Sequence, residues 1–346
     1  MADVRKLVLK TLLSLPAPVL RLMSGGSAVY QGGRTLDPRF QFLAAQAKGM
    51  PAMSTLSAQE GRAGAAQGMA LMAAGAEPGV RVENLTVPGG EGEVKARAYR
   101  PADQDPDAPL LVYAHMGGGV IGDLETHHAF CSILAKLARC AVLSVDYRLA
   151  PEHKFPAGLE DMLAAWRWAR DNTGRFGVEG GRLAIGGDSM GGNFAAILCQ
   201  EMKRRGEPQP ALQLLVYPAV DVASETQSMS TYADAYPLSR DTMSWFMGHY
   251  MSPQDDPADP RLSPIREADL AGLAPAIVVT AGFDPLVDQG EAYARMLKAA
   301  GVPVLYRCYD AMGHGFTAFG GAIPPADIAC REIAGLVRQG FDGKIP

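Results

Sequence analysis

The sequence predicts an α/β domain: a mostly parallel central sheet flanked by helices. Three observations carry this. The runs 110–114, 141–145, 183–185, 212–217 and 276–280 are short and almost continuously apolar, as strands buried on both faces are. Helical stretches lie between them, at about 127–139, 159–170, 192–205 and 289–300. Gly, Pro or Asp bounds each run.

Taken in order, residues 1–75 read as helical. Arg5 and Lys6 precede an apolar stretch that resembles a secretory leader, but Lys10 lies inside it and Pro16 and Pro18 break it. The expectation is an amphipathic helix that packs on the domain or touches a membrane surface. Asp37-Pro38 starts a helix, with a capping side chain before proline at the first helical position. Ser57 and Glu60 form a capping box for a helix running to about Ala74. Val80 to Val87 and Val94 to Arg100 read as strands, the second half-exposed by its alternation. Residues 221–270 break the strand–helix alternation. They are polar and Pro-rich, with one helix near 241–250, and suit an addition over a sheet edge. A last strand, Val304–Tyr309, precedes Gly313-His314-Gly315-Phe316.

Composition limits the function. The chain has 346 residues, is 48% hydrophobic and 20% charged, and so is globular. Its net charge of −5 argues against a nucleic-acid partner. The five cysteines are odd in number and show no C-x-x-C spacing, which disfavours a disulfide framework or a zinc site and suits a cytoplasmic protein. Without a run of about 18 apolar residues, no stable membrane insertion is expected.

Gly187-Asp188-Ser189-Met190-Gly191 matches G-x-S-x-G between a strand and a helix. That turn exposes Ser189 as a nucleophile at a helix N-terminus, where negative charge is favoured. A serine hydroxyl needs a base. Of six histidines only His249 and His314 follow Ser189; His249 falls in the helix near 241–250, whereas His314 follows a strand. Asp284 leaves the strand 276–280 at the same sheet edge and can orient His314, with Asp288 as its rival. The glycine run Gly117-Gly118-Gly119 after strand 110–114 can offer backbone N–H groups which, with that of Met190, would hold an oxyanion. No Lys accompanies it, so a phosphate cradle is disfavoured. His115 is expected to brace this loop. No metal or cofactor is called for.

The order Ser189, Asp284, His314 is that of α/β-hydrolases. Together with Asp146-Tyr147-Arg148-Leu149-Ala150-Pro151, Phe155-Pro156-Ala157 and Gly191-Gly192-Asn193, the motifs make the chain resemble the hormone-sensitive-lipase-like (bacterial family IV) esterases of the α/β-hydrolase fold. The resemblance implies a serine carboxylesterase for small esters of short to medium acyl chains, working through an acyl-enzyme. It also implies a helical cap. Residues 1–75 would be its N-terminal part and 221–270 its insertion, with 76–220 and 271–346 forming the catalytic domain. Leu238, Trp245, Phe246 and Tyr250 are apolar candidates for substrate contact, with packing of the cap on the core an equal alternative for Trp245, Phe246 and Tyr250. A homodimer is plausible by the same resemblance. An amidase or aryl-acylamidase could use the same triad, and a non-catalytic binding protein could share the fold.

One departure stands out. The family reads His-Gly-Gly-Gly-aromatic where this chain has His115-Met116-Gly117-Gly118-Gly119. A strained backbone at Met116 and a pocket wall enlarged at Gly119 are expected, with tolerance of bulkier substrates.

Overall fold

The protein is described here by a computed structural model covering residues 2–346. Its helices are α1 (Ala2–Leu13), α2 (Ala17–Met23), α3 (Pro38–Ala47), α4 (Ala58–Met72), α5 (His128–Ala138), α6 (Ala157–Asp171), α7 (Met190–Arg204), α8 (Gln227–Thr231), α9 (Arg240–Tyr250), α10 (Val287–Ala299) and α11 (Pro324–Phe341). A two-residue hairpin, β1 (Tyr30–Gln31) and β2 (Arg34–Thr35), stands apart from the main sheet. The main sheet contains β3 (Val80–Pro88), β4 (Glu93–Pro101), β5 (Leu110–Ala114), β6 (Val142–Asp146), β7 (Leu183–Asp188), β8 (Gln213–Val216), β9 (Ala276–Phe283) and β10 (Val304–Gly313).

Those eight strands lie in the order β10-β9-β8-β7-β5-β6-β4-β3. From β10 to β6 every pairing is parallel, while β4 runs antiparallel to β6 and β3 antiparallel to β4. The apolar runs account for this layout. β5, β7, β8 and β9 are buried at every residue, so both faces need helices. Leu159, Phe194 and Leu297 bring α6, α7 and α10 into one core. Phe130, Leu134 and Ile333 bring α5 and α11 into the other.

The N-terminal 75 residues are not wholly helical. Gly32 and Gly33 take φ of 58° and 79°, which permits the two-residue hairpin turn between β1 and β2. The helix starts follow the side chains. Asp37 accepts the Arg39 N–H, and Ser57 and Glu60 close a capping box. β10 runs four residues past Tyr309, with a pairing irregularity between Tyr309 and Gly313. Trp245 of α9 donates its indole N–H to the Leu56 carbonyl (2.9 Å), so residues 221–270 pack on the N-terminal segment. All five cysteines are free thiols.

Because β5, β7, β9 and β10 share one direction, their carboxyl ends open on one sheet edge. The Gly117–Gly119 loop, Ser189, Asp284 and His314 follow those four ends.

Candidate active site

The turn at Ser189 is built by backbone crowding. Ser189 adopts φ 54° and ψ −115°, a region L residues avoid at a cost of about 1–3 kcal/mol. The surroundings hold it there. Its N–H donates to Val216 O (2.9 Å), and its carbonyl accepts the N–H groups of Asn193 (3.0 Å) and Ala219 (3.2 Å). A Cβ at Gly187 would lie 2.7 Å from Ala114 O, and one at Gly191 2.6 Å from the Ala114 carbonyl carbon. Both motif glycines are thus required by close backbone approach.

A file of hydrogen bonds crosses the edge. The His314 Nδ1 lies 2.6 Å from Asp284 Oδ2, and its Nε2 lies 2.9 Å from Ser189 Oγ. A carboxylate only accepts, so Nδ1 carries the proton and Nε2 is free to accept from the serine hydroxyl. All three side chains are buried, Asp284 completely. Its other oxygen accepts the Leu286 N–H (2.9 Å), which fixes the carboxylate plane. Asp288 points elsewhere, accepting the Ser228 N–H (2.7 Å). His249 packs edge-on against Trp245, 4.6 Å between ring centres.

In the glycine loop, Gly117, Gly118 and Gly119 take φ of 126°, 61° and 71°. The Gly117 carbonyl accepts the N–H groups of Val120 and Ile121 (both 2.9 Å), while among the described residues the Gly117 and Gly118 N–H groups donate to none. His115 braces the loop. It stacks on Tyr147 at 4.3 Å, and its Nδ1–H donates to Met116 O (2.7 Å). Burial pushes its pKa down to about 4, and among the described residues its Nε2 has no partner. The sign of the linkage follows. Unfolded histidine takes a proton near pH ~6.5 while folded His115 refuses it until about 4. Stability is therefore full above ~6.5 and declines as pH falls towards 4, by on the order of 3 kcal/mol. Denaturant titrations at several pH values should show that slope, reduced in His115→Gln; an equal slope in both proteins would refute it.

Two expectations from the departed motif are corrected. Met116 is not among the positive-φ residues, so it carries no such strain; the three glycines after it absorb the unusual angles. Its thioether lies instead against Gly315, beside His314, where an added Cβ would be 3.2 Å from Sδ. Gly119 opens no wall either. A Cβ there would meet Tyr250 Cδ2 at 2.5 Å, and one at Gly118 would meet Phe246 Cδ1 at 2.5 Å. The aromatic surface at this point arrives from α9. The gain in room for bulkier substrates expected from Gly119 thus loses its basis.

Of the other proposed contacts, Leu238 is buried in the same core as Phe246 and Tyr250. Trp245 packs on Gly61 of α4, 2.9 Å from where a Cβ would be, rather than on the glycine loop.

Sequence reasoning missed two groups. Asp188, an unassigned letter of the motif, is fully buried and accepts from Tyr113 OH (2.9 Å) and Tyr217 OH (2.8 Å). It pairs with His127 Nε2 at 2.6 Å and lies 3.3 Å from Thr317 Oγ1. Tyr217 also bonds Thr317 and packs its ring 4.7 Å from that of His314. The second group is Arg62 of α4. Its guanidinium donates to Val120 O (2.7 Å), Ala150 O (2.6 Å) and Glu152 (2.9 Å), and this bonding holds Glu152 down to about 2. Arg62→Ala should leave the loop less ordered and lower kcat about tenfold with little change in KM; unchanged kcat would separate the clamp from the site.

Comparison with known proteins places the chain among the α/β hydrolases. Residues 111–318 match the family described as the α/β-hydrolase fold. The chain is 42% identical over 315 residues to a carboxylic ester hydrolase of Mycobacterium tuberculosis, covering 89% of this chain and 84% of that protein. It is 37% identical over 291 residues to an ethyl acetate hydrolase of Pseudomonas putida, covering 83% and 92%. Among solved structures, an α/β-hydrolase enzyme from the metagenome of Lake Arreo, Spain, superposes with a TM-score of 0.84 at 39% identity, covering 95% of this chain and 98% of the other.

Proposed function

This chain belongs to the hormone-sensitive-lipase-like family of α/β hydrolases and is a carboxylesterase, and we propose that it cleaves small esters of short to medium acyl chain through a Ser189 acyl-enzyme. His314 accepts the Ser189 proton as Oγ attacks the ester carbonyl, and Asp284 holds the imidazole in the tautomer that can accept it. The N–H groups of Gly117, Gly118 and Met190 receive the oxyanion of the tetrahedral intermediate. His314 then protonates the departing alcohol and afterwards draws a proton from the water that releases the acid.

The observation that carries this reading is the file from Asp284 through His314 to Ser189, at 2.6 and 2.9 Å. Phe246 and Tyr250 against Gly118 and Gly119 support a confined acyl site. In this reading α1 to α4 and residues 221–270 act together as the cap.

A series of p-nitrophenyl esters from acetate to palmitate tests it. The expected maximum of kcat/KM falls among the shorter members, and a Ser189→Ala variant shows no fluorophosphonate adduct. A maximum at palmitate would overturn the chain-length assignment. An adduct persisting in the variant would overturn Ser189. A matched ester and anilide should favour the ester.

A further inference from the structure

We propose that α1 and α2 form a docking face for an anionic lipid surface. α1 carries two apolar sides. Leu13 is buried, and Leu9 and Leu12 pack beside it on the core. On the opposite side Val4, Leu7, Val8 and Thr11 follow the i, i+3, i+4, i+7 spacing of a single helical stripe. Val4 is 64%, Leu7 66% and Val8 52% exposed. A helix that only covered the core would carry polar residues there. α2 repeats the arrangement: Leu20 is buried, whereas Val19, Leu22 and Met23, again at i, i+3, i+4, face out, Leu22 at 76% exposure.

Charge selects the occupant. Residues 1–24 contain Arg5, Lys6, Lys10 and Arg21 against the single carboxylate Asp3, while the whole chain is net −5. By helical geometry Arg5 and Lys10 border the α1 stripe on its two sides, and both are exposed. Apolar residues flanked by cations suit a helix lying in a lipid headgroup layer. Each Lys or Arg adds about fivefold to affinity for an anionic surface. The acidic remainder of the chain is repelled from that surface, which fixes the orientation. A second copy of the chain pairing through this face would set cation against cation. A packed path links α2 to the site. α2 packs on α3, whose Phe40 lies against Gly313, next to His314.

The test is co-sedimentation of the full chain with vesicles of phosphatidylcholine alone or mixed with phosphatidylglycerol. Binding is expected with the mixed vesicles and should weaken as salt is raised. Leu7→Ser with Val8→Ser, and separately Leu22→Ser with Met23→Ser, should each lower the partition coefficient about tenfold or more. Arg5→Glu with Lys10→Glu, at exposed positions that leave folding intact, should abolish the preference for the mixed vesicles. Hydrolysis of a soluble short ester should stay unchanged in all three, which separates this proposal from the catalytic reading. Absence of binding would overturn it, as would equal binding to both vesicles or indifference to the substitutions. So would light scattering that reveals a dimer dissolved by Leu7→Ser with Val8→Ser, since the face would then belong to a second copy.

Discussion

Replacing His314 with alanine should lower kcat for a short p-nitrophenyl ester by about 10⁴- to 10⁶-fold, with KM little changed. The size of the effect follows from the geometry. Nε2 lies 2.9 Å from Ser189 Oγ, and no other imidazole bonds that hydroxyl among the described residues. His249 packs edge-on against Trp245, and His115 turns its Nδ1–H to Met116 O. A serine without a base stays a weak nucleophile. Ser189→Ala and the double variant should lose about as much as His314→Ala alone, because residues acting as one unit are not additive. Kinetics on the three purified proteins, with circular dichroism to verify folding, decide the matter. A loss under about tenfold in His314→Ala would remove that residue from the proposed mechanism.

Asp188→Ala should destabilise the fold by about 3–5 kcal/mol, since several buried donors lose their acceptor at once, each at about 1–3 kcal/mol. The carboxylate is buried against His127, Tyr113, Tyr217 and Thr317, so removal strands several polar groups at once. Burial by itself would raise its pKa, but the charge and hydrogen bond of His127, together with the tyrosine hydroxyls, outweigh burial and hold it below the ordinary carboxylate value. A depressed carboxylate stabilises the fold above its unfolded pKa of ~3.9, and that contribution fades as pH falls through the folded value. The full loss should therefore be visible in urea melts at neutral pH. Asp188→Asn, which keeps an acceptor and the shape, should lose less. A change below about 1 kcal/mol in the alanine variant would mean that the network adds little. Tyr217 packs on His314 and bonds Thr317, three residues on, so surviving Asp188→Asn should also show altered kcat.

The centre of the sheet was legible because β5, β7, β8 and β9 are buried on both faces and therefore written as nearly unbroken apolar runs. The Ser189 turn was legible for a similar reason: its glycines answer backbone crowding within a few residues. Asp284 and His314 could be sought at strand ends, since a parallel sheet brings those ends to one edge. What escaped depends on partners far apart in the chain. Nothing near position 188 signals His127, Tyr217 and Thr317, and nothing near Val120 signals Arg62. The misreading of Gly119 has the same origin, for Tyr250 comes from a helix 131 positions later. The hairpin at Gly32-Gly33 is local, but two residues per strand are too few to carry a period against the helical text around them.

The Arg62 clamp bears on recombining this enzyme with its relatives. A chimera that imports a foreign N-terminal segment exchanges the guanidinium while keeping the Val120 and Ala150 carbonyls and Glu152 that it grips. Crossover points chosen only at loop boundaries would split that partnership. Libraries that inherit Arg62 and Glu152 from one parent should contain more active members than libraries that inherit them from two.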